Sequence, residues 1–139
     1  MSFIKKLQTR ILSFLIRNIS GDYYDAASKY YVINNIWNNI KLDSIEGDYI
    51  EFGIFKGKSL AHSFSVAKKN KIIKNRKFWG LDSFEGFPAE NHSFYTSKNF
   101  EVSYEKVIRQ FKKYENIKIE KGYFSEVLSN DHMMQINKI

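Results

Sequence analysis

The chain has no cysteine, one proline, three histidines and no apolar run approaching the roughly 20 residues of a membrane span. Without cysteine there is no disulfide scaffold, no thiolate metal site and no thiol nucleophile. That absence fits a reducing compartment, and the expected location is cytoplasmic. The lone Pro88 and the lack of any Pro- or Gly-rich stretch leave no linker to divide the chain. Nor is there a repeat or a low-complexity segment. His62, His92 and His132 are scattered, with no cluster of His, Asp and Glu at ligand spacing, so no metal site is assigned within these residues.

What is present is bulk. A chain of 139 residues has room for one core, and 43% hydrophobic content with 12 Phe and 9 Tyr supports a packed body rather than disorder. The net charge is +7, and Lys68, Lys69, Lys71, Lys74, Arg76 and Lys77 concentrate part of it. Such a cluster serves either as a patch for an anionic partner or as a solvated connection. The second reading is preferred, and no nucleic-acid partner is expected. Near the N-terminus, Ile4, Leu7, Ile11, Phe14 and Leu15 recur at helical spacing beside Lys5 and Lys6. This predicts an amphipathic helix that packs on its own domain or on a second subunit, with a membrane surface as the alternative. The apolar run Ile11–Ile16 is too short for a signal peptide.

Further on, Ser20-Gly21-Asp22 breaks the first helix, and a second is expected from about Tyr24 to Ile40. Its predicted apolar face comprises Ala27, Tyr30, Tyr31, Ile33, Trp37 and Ile40. Strands are expected at Tyr49–Phe52, Phe78–Leu81 and Ile117–Glu120. Helices are expected from Ser59 to about Lys69, across Val102–Phe111 and at Phe124–Leu128. The alternation of strand and helix predicts an α/β fold with a parallel sheet. Residues 1–44 then form an N-terminal helical segment, and 45–139 the α/β domain.

The chemistry concentrates at the ends of the first two strands. Glu51-Phe52-Gly53-Ile54-Phe55-Lys56-Gly57 leads into Ser59, and Asp82 closes the second strand. A turn free of side chains lets backbone approach a ligand, and a carboxylate at the neighbouring strand end meets ribose hydroxyls. A dinucleotide site wants G-x-G-x-x-G, whereas this spacing is G-x-x-x-G with Phe55 inside it. Glu51 would repel a pyrophosphate but suits an ammonium. S-adenosylmethionine has an ammonium, a sulfonium and a ribose diol, and no phosphate. The pattern leans towards that cofactor, with a nicotinamide-dependent oxidoreductase as the lesser alternative.

Three blocks resemble a known family. Gly47-Asp48-Tyr49-Ile50-Glu51-Phe52-Gly53 with Gly57 and Ser59, Asp82-Ser83-Phe84-Glu85-Gly86-Phe87-Pro88, and Lys121-Gly122-Tyr123-Phe124-Ser125-Glu126-Val127-Leu128 are similar to the macrocin O-methyltransferase family. Its members are class I S-adenosylmethionine-dependent methyltransferases. The blocks occur in the family's order, from about residue 45 to the C-terminus. The resemblance implies a Rossmann-like sheet of parallel strands 1–3 plus the start of strand 4, behind two N-terminal helices. It also implies methyl transfer to a sugar or sugar-like hydroxyl, on a small molecule or a glycan.

The cofactor-binding residues expected on this basis are Glu51, Gly53, Gly57, Ser59, Asp82, Ser83, Gly122 and Tyr123. Glu51 would meet the methionyl ammonium directly or through water; its other role is to accept backbone N–H groups in the turn. Ser59 either caps the helix or touches the cofactor carboxylate. Asp82 would take the ribose diol, or else cap the turn that follows it. Gly122 and Tyr123 lie where an adenine ring would lie. Phe84 and Phe87 would wall the site or pack in the core. None of the three histidines sits in a matched motif; His92 lies in the loop over the expected site, but substrate contact is the lesser reading for it, and His62 and His132 are read as surface residues.

No catalytic base is assigned. In the family a fourth strand, which would begin near Gln135–Ile139, ends in an acidic motif implied to hold a divalent cation such as Mg. The expected reading is therefore a truncated domain with its cofactor half present, its cation held by residues beyond Ile139, and a homo-oligomer left open. A non-catalytic remnant or an associating subunit is the alternative.

Overall fold

The three expected segments form three parallel strands. The computed structural model describes residues 3–18, 21–87 and 100–128. Its elements run α1 (Phe3–Asn18), α2 (Gly21–Leu42), β1 (Tyr49–Phe52), α3 (Lys58–Lys69), β2 (Phe78–Asp82), α4 (Tyr104–Phe111), β3 (Ile117–Lys121) and α5 (Phe124–Val127). The sheet order is β1-β2-β3. Tyr49 faces Phe78 and Phe52 faces Leu81, while Phe78 faces Ile117 and Asp82 faces Lys121. All three strands therefore deliver their C-terminal loops to one end of the sheet. The Gly53 amide donates to the Leu81 carbonyl at 2.8 Å, and the Gly122 amide to the Asp82 carbonyl at 3.0 Å.

The central strand explains how closely α3 lies on the sheet. Phe78 and Leu81 of β2 are fully buried. Between them Gly80 has no side chain, and a Cβ there would lie 2.8 Å from Leu60 and 2.9 Å from Ile54. That missing methyl lets Leu60 seat directly on the strand. Burying side chains of this size contributes about 1.5–3 kcal/mol each. Trp37 of α2 joins the same core, stacked on Phe78 at 5.4 Å and tilted against Tyr49 at 5.5 Å. The helix face differs from the expected one in that Ala27 and Tyr31 are exposed. Ile33 and Ile40 pack beside Trp37 against the core.

Polar groups brace the base of the sheet. The Asp48 carboxylate accepts the Lys77 amide at 2.8 Å and the Trp79 indole N–H at 2.9 Å, tying the entries of β1 and β2 together. Arg76 donates to the Ile45 carbonyl at 2.7 Å and also to the Gly47 carbonyl, with its guanidinium 5.7 Å from the Trp37 ring. One member of the basic cluster thus has a structural task.

Helix α1 has no packed face among the described residues. Ile4, Leu7, Ile11, Phe14 and Leu15 are all about half exposed or more. The expected packing on its own domain is not seen there. No described helix is long and apolar enough to cross a membrane. The proposed start of a fourth strand at Gln135–Ile139 lies outside the described residues.

Candidate functional site

A cavity of about 300 Å³ opens where the loops after β1, β2 and β3 meet. Gly53, Asp82, Ser83, Gly122 and Tyr123 line it, together with Phe55, Gly86, Phe87, Phe100 and Phe124. Parallel register brings these residues together from segments far apart in the chain. Glu51, Gly57 and Ser59 are not among the lining residues.

Asp82 organises the site. One carboxylate oxygen accepts the Phe55 amide at 2.7 Å, and the other accepts the Phe84 amide at 2.8 Å. Phe55 and Phe84 both have left-handed backbone, at φ 49° and 61°. Bulky residues rarely adopt that region, and it costs on the order of 1–3 kcal/mol. Charge-assisted hydrogen bonds to the carboxylate offset part of that cost. The turn-capping role of Asp82 is therefore present. Each carboxylate oxygen retains one further lone pair for a ligand hydroxyl.

Glu51 faces α3. One of its oxygens accepts the Ser59 hydroxyl, and the other accepts the Tyr49 hydroxyl at 2.9 Å. Its partners are thus side-chain hydroxyls rather than the backbone amides of the turn. Ser63, fully buried, donates onward to the Tyr49 oxygen at 3.2 Å. Burial pushes the Tyr49 phenol up to about 12; the Ser63 hydrogen bond opposes this, and the Glu51 charge adds to it.

Ser59 does not cap α3. The helix begins at Lys58, and Gly57 takes the cap position at φ 71° with no side-chain hydrogen bond. Ser59 falls in the first turn because Gly57, rather than a capping hydroxyl, reverses the chain. A Cβ on Gly57 would lie 2.7 Å from the Phe111 ring, so this glycine is the contact point between the β1–α3 turn and α4. At Gly53, by contrast, a Cβ would meet nothing within 4 Å.

On the far wall, the Tyr123 hydroxyl donates to Glu85 at 3.1 Å, and Lys121 pairs with the same carboxylate at 3.7 Å. The hydrogen bond to Glu85, then its charge, raises the Tyr123 phenol above its ordinary range. Ser83 accepts the Glu85 amide at 3.3 Å. The two candidate wall phenylalanines part company. Phe84 is buried against Tyr104, while Phe87 is 44% exposed and lines the cavity. Phe100 and Phe124 also line it; Phe124 belongs to the third motif block but is not singled out there as a site residue, and no local motif marks Phe100. Their signal lay in the unusual abundance of phenylalanine. His62 lies away from the cavity, with its Nε2 3.0 Å from the Asn34 amide oxygen. His92 and His132 fall outside the described residues.

The sequence matches Macrocin-O-methyltransferase (TylF) over residues 27–139. The chain belongs to this family. Membership agrees with the motif blocks, and the open parallel sheet is that of a class I methyltransferase. Among solved structures, the chain is similar to the O-methyltransferase NovP, with TM-score 0.60 and 21% identity over 73% of this chain and 47% of that one. It is also similar to CalS11, a calicheamicin methyltransferase, with TM-score 0.61 and 14% identity over 97% of this chain and 64% of that one. At these identities the likeness is one of fold. The chain spans between about half and two thirds of the length of these two proteins. No curated protein sequence matches it.

Proposed function

We propose that this chain binds S-adenosylmethionine and supplies the donor side of an O-methyltransferase acting on a sugar or sugar-like hydroxyl. The observation that carries this reading is the convergence of Asp82, Gly53 and Gly122 on one cavity at the C-terminal ends of parallel strands. Ligands of open α/β sheets bind at that end. The residues present fit the cofactor. Asp82 keeps two free lone pairs, the number a vicinal diol needs. The space beside Gly53 is unobstructed. Glu51 stands outside the cavity lining with each oxygen accepting a hydroxyl, from Ser59 and from Tyr49, so of its two expected modes the one assigned to the ammonium is contact through water.

The bound cofactor supplies a methyl group on a sulfonium, open to in-line displacement by a hydroxyl. The chain's own contribution is orientation. Asp82 fixes the ribose end and Glu51 the methionyl end, which converts a bimolecular encounter into a positioned one. Gly57 and Ser59 support this set through the turn and through the hold on Glu51, and Ser83, Gly122 and Tyr123 complete the wall. A divalent cation does not fit here, because no group of three or more His, Asp or Glu among the described residues could hold one. No step is assigned to it.

Isothermal titration of the purified chain with S-adenosylmethionine and with S-adenosylhomocysteine tests the reading. Saturable binding of both is expected. Absence of binding by a folded chain would sink it.

A further inference from the structure

Helix α1 lies outside the stretch of sequence that matches the family, which begins at residue 27. Its residues sort onto two sides. Ile4, Leu7, Ile11, Phe14 and Leu15 recur at helical spacing on one face, and all five are exposed. Leu12 and Ile16, exposed as well, widen that face along one border. Thr9 and Ser13 occupy the opposite face, where each hydroxyl donates to the carbonyl four residues earlier, at 2.8 and 2.7 Å. The charge on this helix has one sign. Lys5, Lys6, Arg10 and Arg17 carry it, and the helix contains no Asp or Glu. By position Lys6 and Arg10 fall along one border of the apolar face and Lys5 along the other.

The charge pattern selects what covers this face. Pairing two copies of α1 face to face would bring the cations of both borders together, with no carboxylate in either helix to answer them. Like charges set against one another in this way oppose association. A bilayer with anionic headgroups fits both sides at once. The apolar side chains enter the acyl boundary, and lysine and arginine stems run outward to set their charges among the headgroups. The 16 residues of α1 are about 24 Å long, short of the hydrocarbon core of a bilayer. A helix of this length and charge lies in the plane of the surface rather than across it. We propose that α1 docks this chain on an anionic lipid surface, with Ile4, Leu7, Ile11, Phe14 and Leu15 as the inserted face and Lys6 and Arg10 as the headgroup contacts.

The test is co-sedimentation of the purified chain with vesicles of phosphatidylcholine alone and of phosphatidylcholine mixed with phosphatidylglycerol. The partition constant is expected to be about tenfold or more higher on the anionic vesicles. It should fall as salt rises from about 0.1 to about 0.5 M, because the screening length shortens. I11D/F14D sets carboxylates in the apolar face and should lower the constant about tenfold or more. K6Q/R10Q should lower it about three- to tenfold, whereas K74Q/K118Q, which removes the same charge elsewhere, should leave it within about twofold. The α1 side chains stand outside the buried core, so both α1 variants are expected to keep the parent's melting temperature. Equal partition onto both vesicle types, unaffected by salt, would mean plain apolar adsorption and overturn the proposal. Equal losses in K6Q/R10Q and K74Q/K118Q would spread the contact over the whole basic surface and also overturn it. So would the absence of vesicle binding by the folded chain. A dimer in size-exclusion chromatography that I11D/F14D splits, without vesicle binding, would give the face to a second copy instead.

Discussion

The Asp82 carboxylate reaches across 27 positions of sequence to hold the Phe55 amide at 2.7 Å. That bond joins the C-terminal end of β2 to the turn after β1. The other carboxylate oxygen holds the Phe84 amide at 2.8 Å, so one side chain fixes two left-handed phenylalanines. Loop geometry rests on this one group, and the proposed ligand contact falls on it as well, so variants of Asp82 are expected to show both.

Asp82→Ala is expected to weaken S-adenosylmethionine binding by about 1–3 kcal/mol, the cost of losing hydrogen bonds to a charged acceptor. The melting temperature should fall as well, because two amides lose their acceptor. Calorimetry paired with thermal denaturation reads the two effects separately. An unchanged dissociation constant in a folded variant would remove Asp82 from the ligand's contacts.

Glu51→Gln preserves shape and removes charge. Weaker cofactor binding is expected, with a stability loss limited to about 1 kcal/mol, since one amide oxygen still accepts from Tyr49 or Ser59. If stability collapses while affinity holds, the task of Glu51 is to fasten β1 to α3.

Tyr49 makes an alkaline prediction. Its phenol is raised in the folded chain, chiefly by burial, from 10.0 to about 12. Above pH 10 the unfolded chain gives up this proton while the folded chain keeps it. Stability contributed by the neutral phenol is therefore full below pH 10 and is lost as pH rises towards 12. The loss is on the order of 2 kcal/mol. Denaturant melts of the parent and of Tyr49→Phe between pH 9 and 12 should converge by that amount, and parallel curves would contradict the assignment.

Gly57→Ala should cost about 2–3 kcal/mol, from an unfavourable positive φ and from a methyl driven against the Phe111 ring. Urea denaturation measures it. The companion Gly53→Ala shares the positive φ but meets no atom within 4 Å, so it should be the milder of the pair in stability. A reversed order would mean that the α4 contact yields easily.

The strands were legible because two are short apolar runs and the third, Ile117–Lys121, alternates apolar and charged residues, and all three formed where the pattern placed them. The start of α3 was not. Ser59 has the chemistry of a cap, but capping depends on where the chain reverses, and Gly57 does that two residues earlier. The division of labour between Phe84 and Phe87 was equally hidden. The two are three apart in one loop, and only the left-handed turn at Phe84 sends one inward and leaves the other at the cavity. Phe100 became a wall through the crossover that brings the approach to α4 beside the cavity, a long-range consequence that no local spacing encodes. Asp82 was legible as a strand-end carboxylate, but its hold on Phe55 appears only once β1 and β2 lie side by side.

Arg76 sets a limit on how this chain can drift. Its guanidinium fastens two carbonyls of the turn before β1 while lying against Trp37, a task that needs a planar fork. Lys68, Lys69, Lys71 and Lys74 beside it are not bound to that geometry. A lineage, or an engineer lowering the net charge for solubility, can exchange Lys74 for a neutral or acidic residue at small cost, whereas Lys68 and Lys69 suit the C-terminal turn of α3 as cations and Lys71 has a left-handed backbone. The same exchange at Arg76 would loosen the entry to β1, the strand that carries Glu51 and leads into Gly53. Within one basic run, tolerance to substitution therefore differs from position to position, and it is least at Arg76.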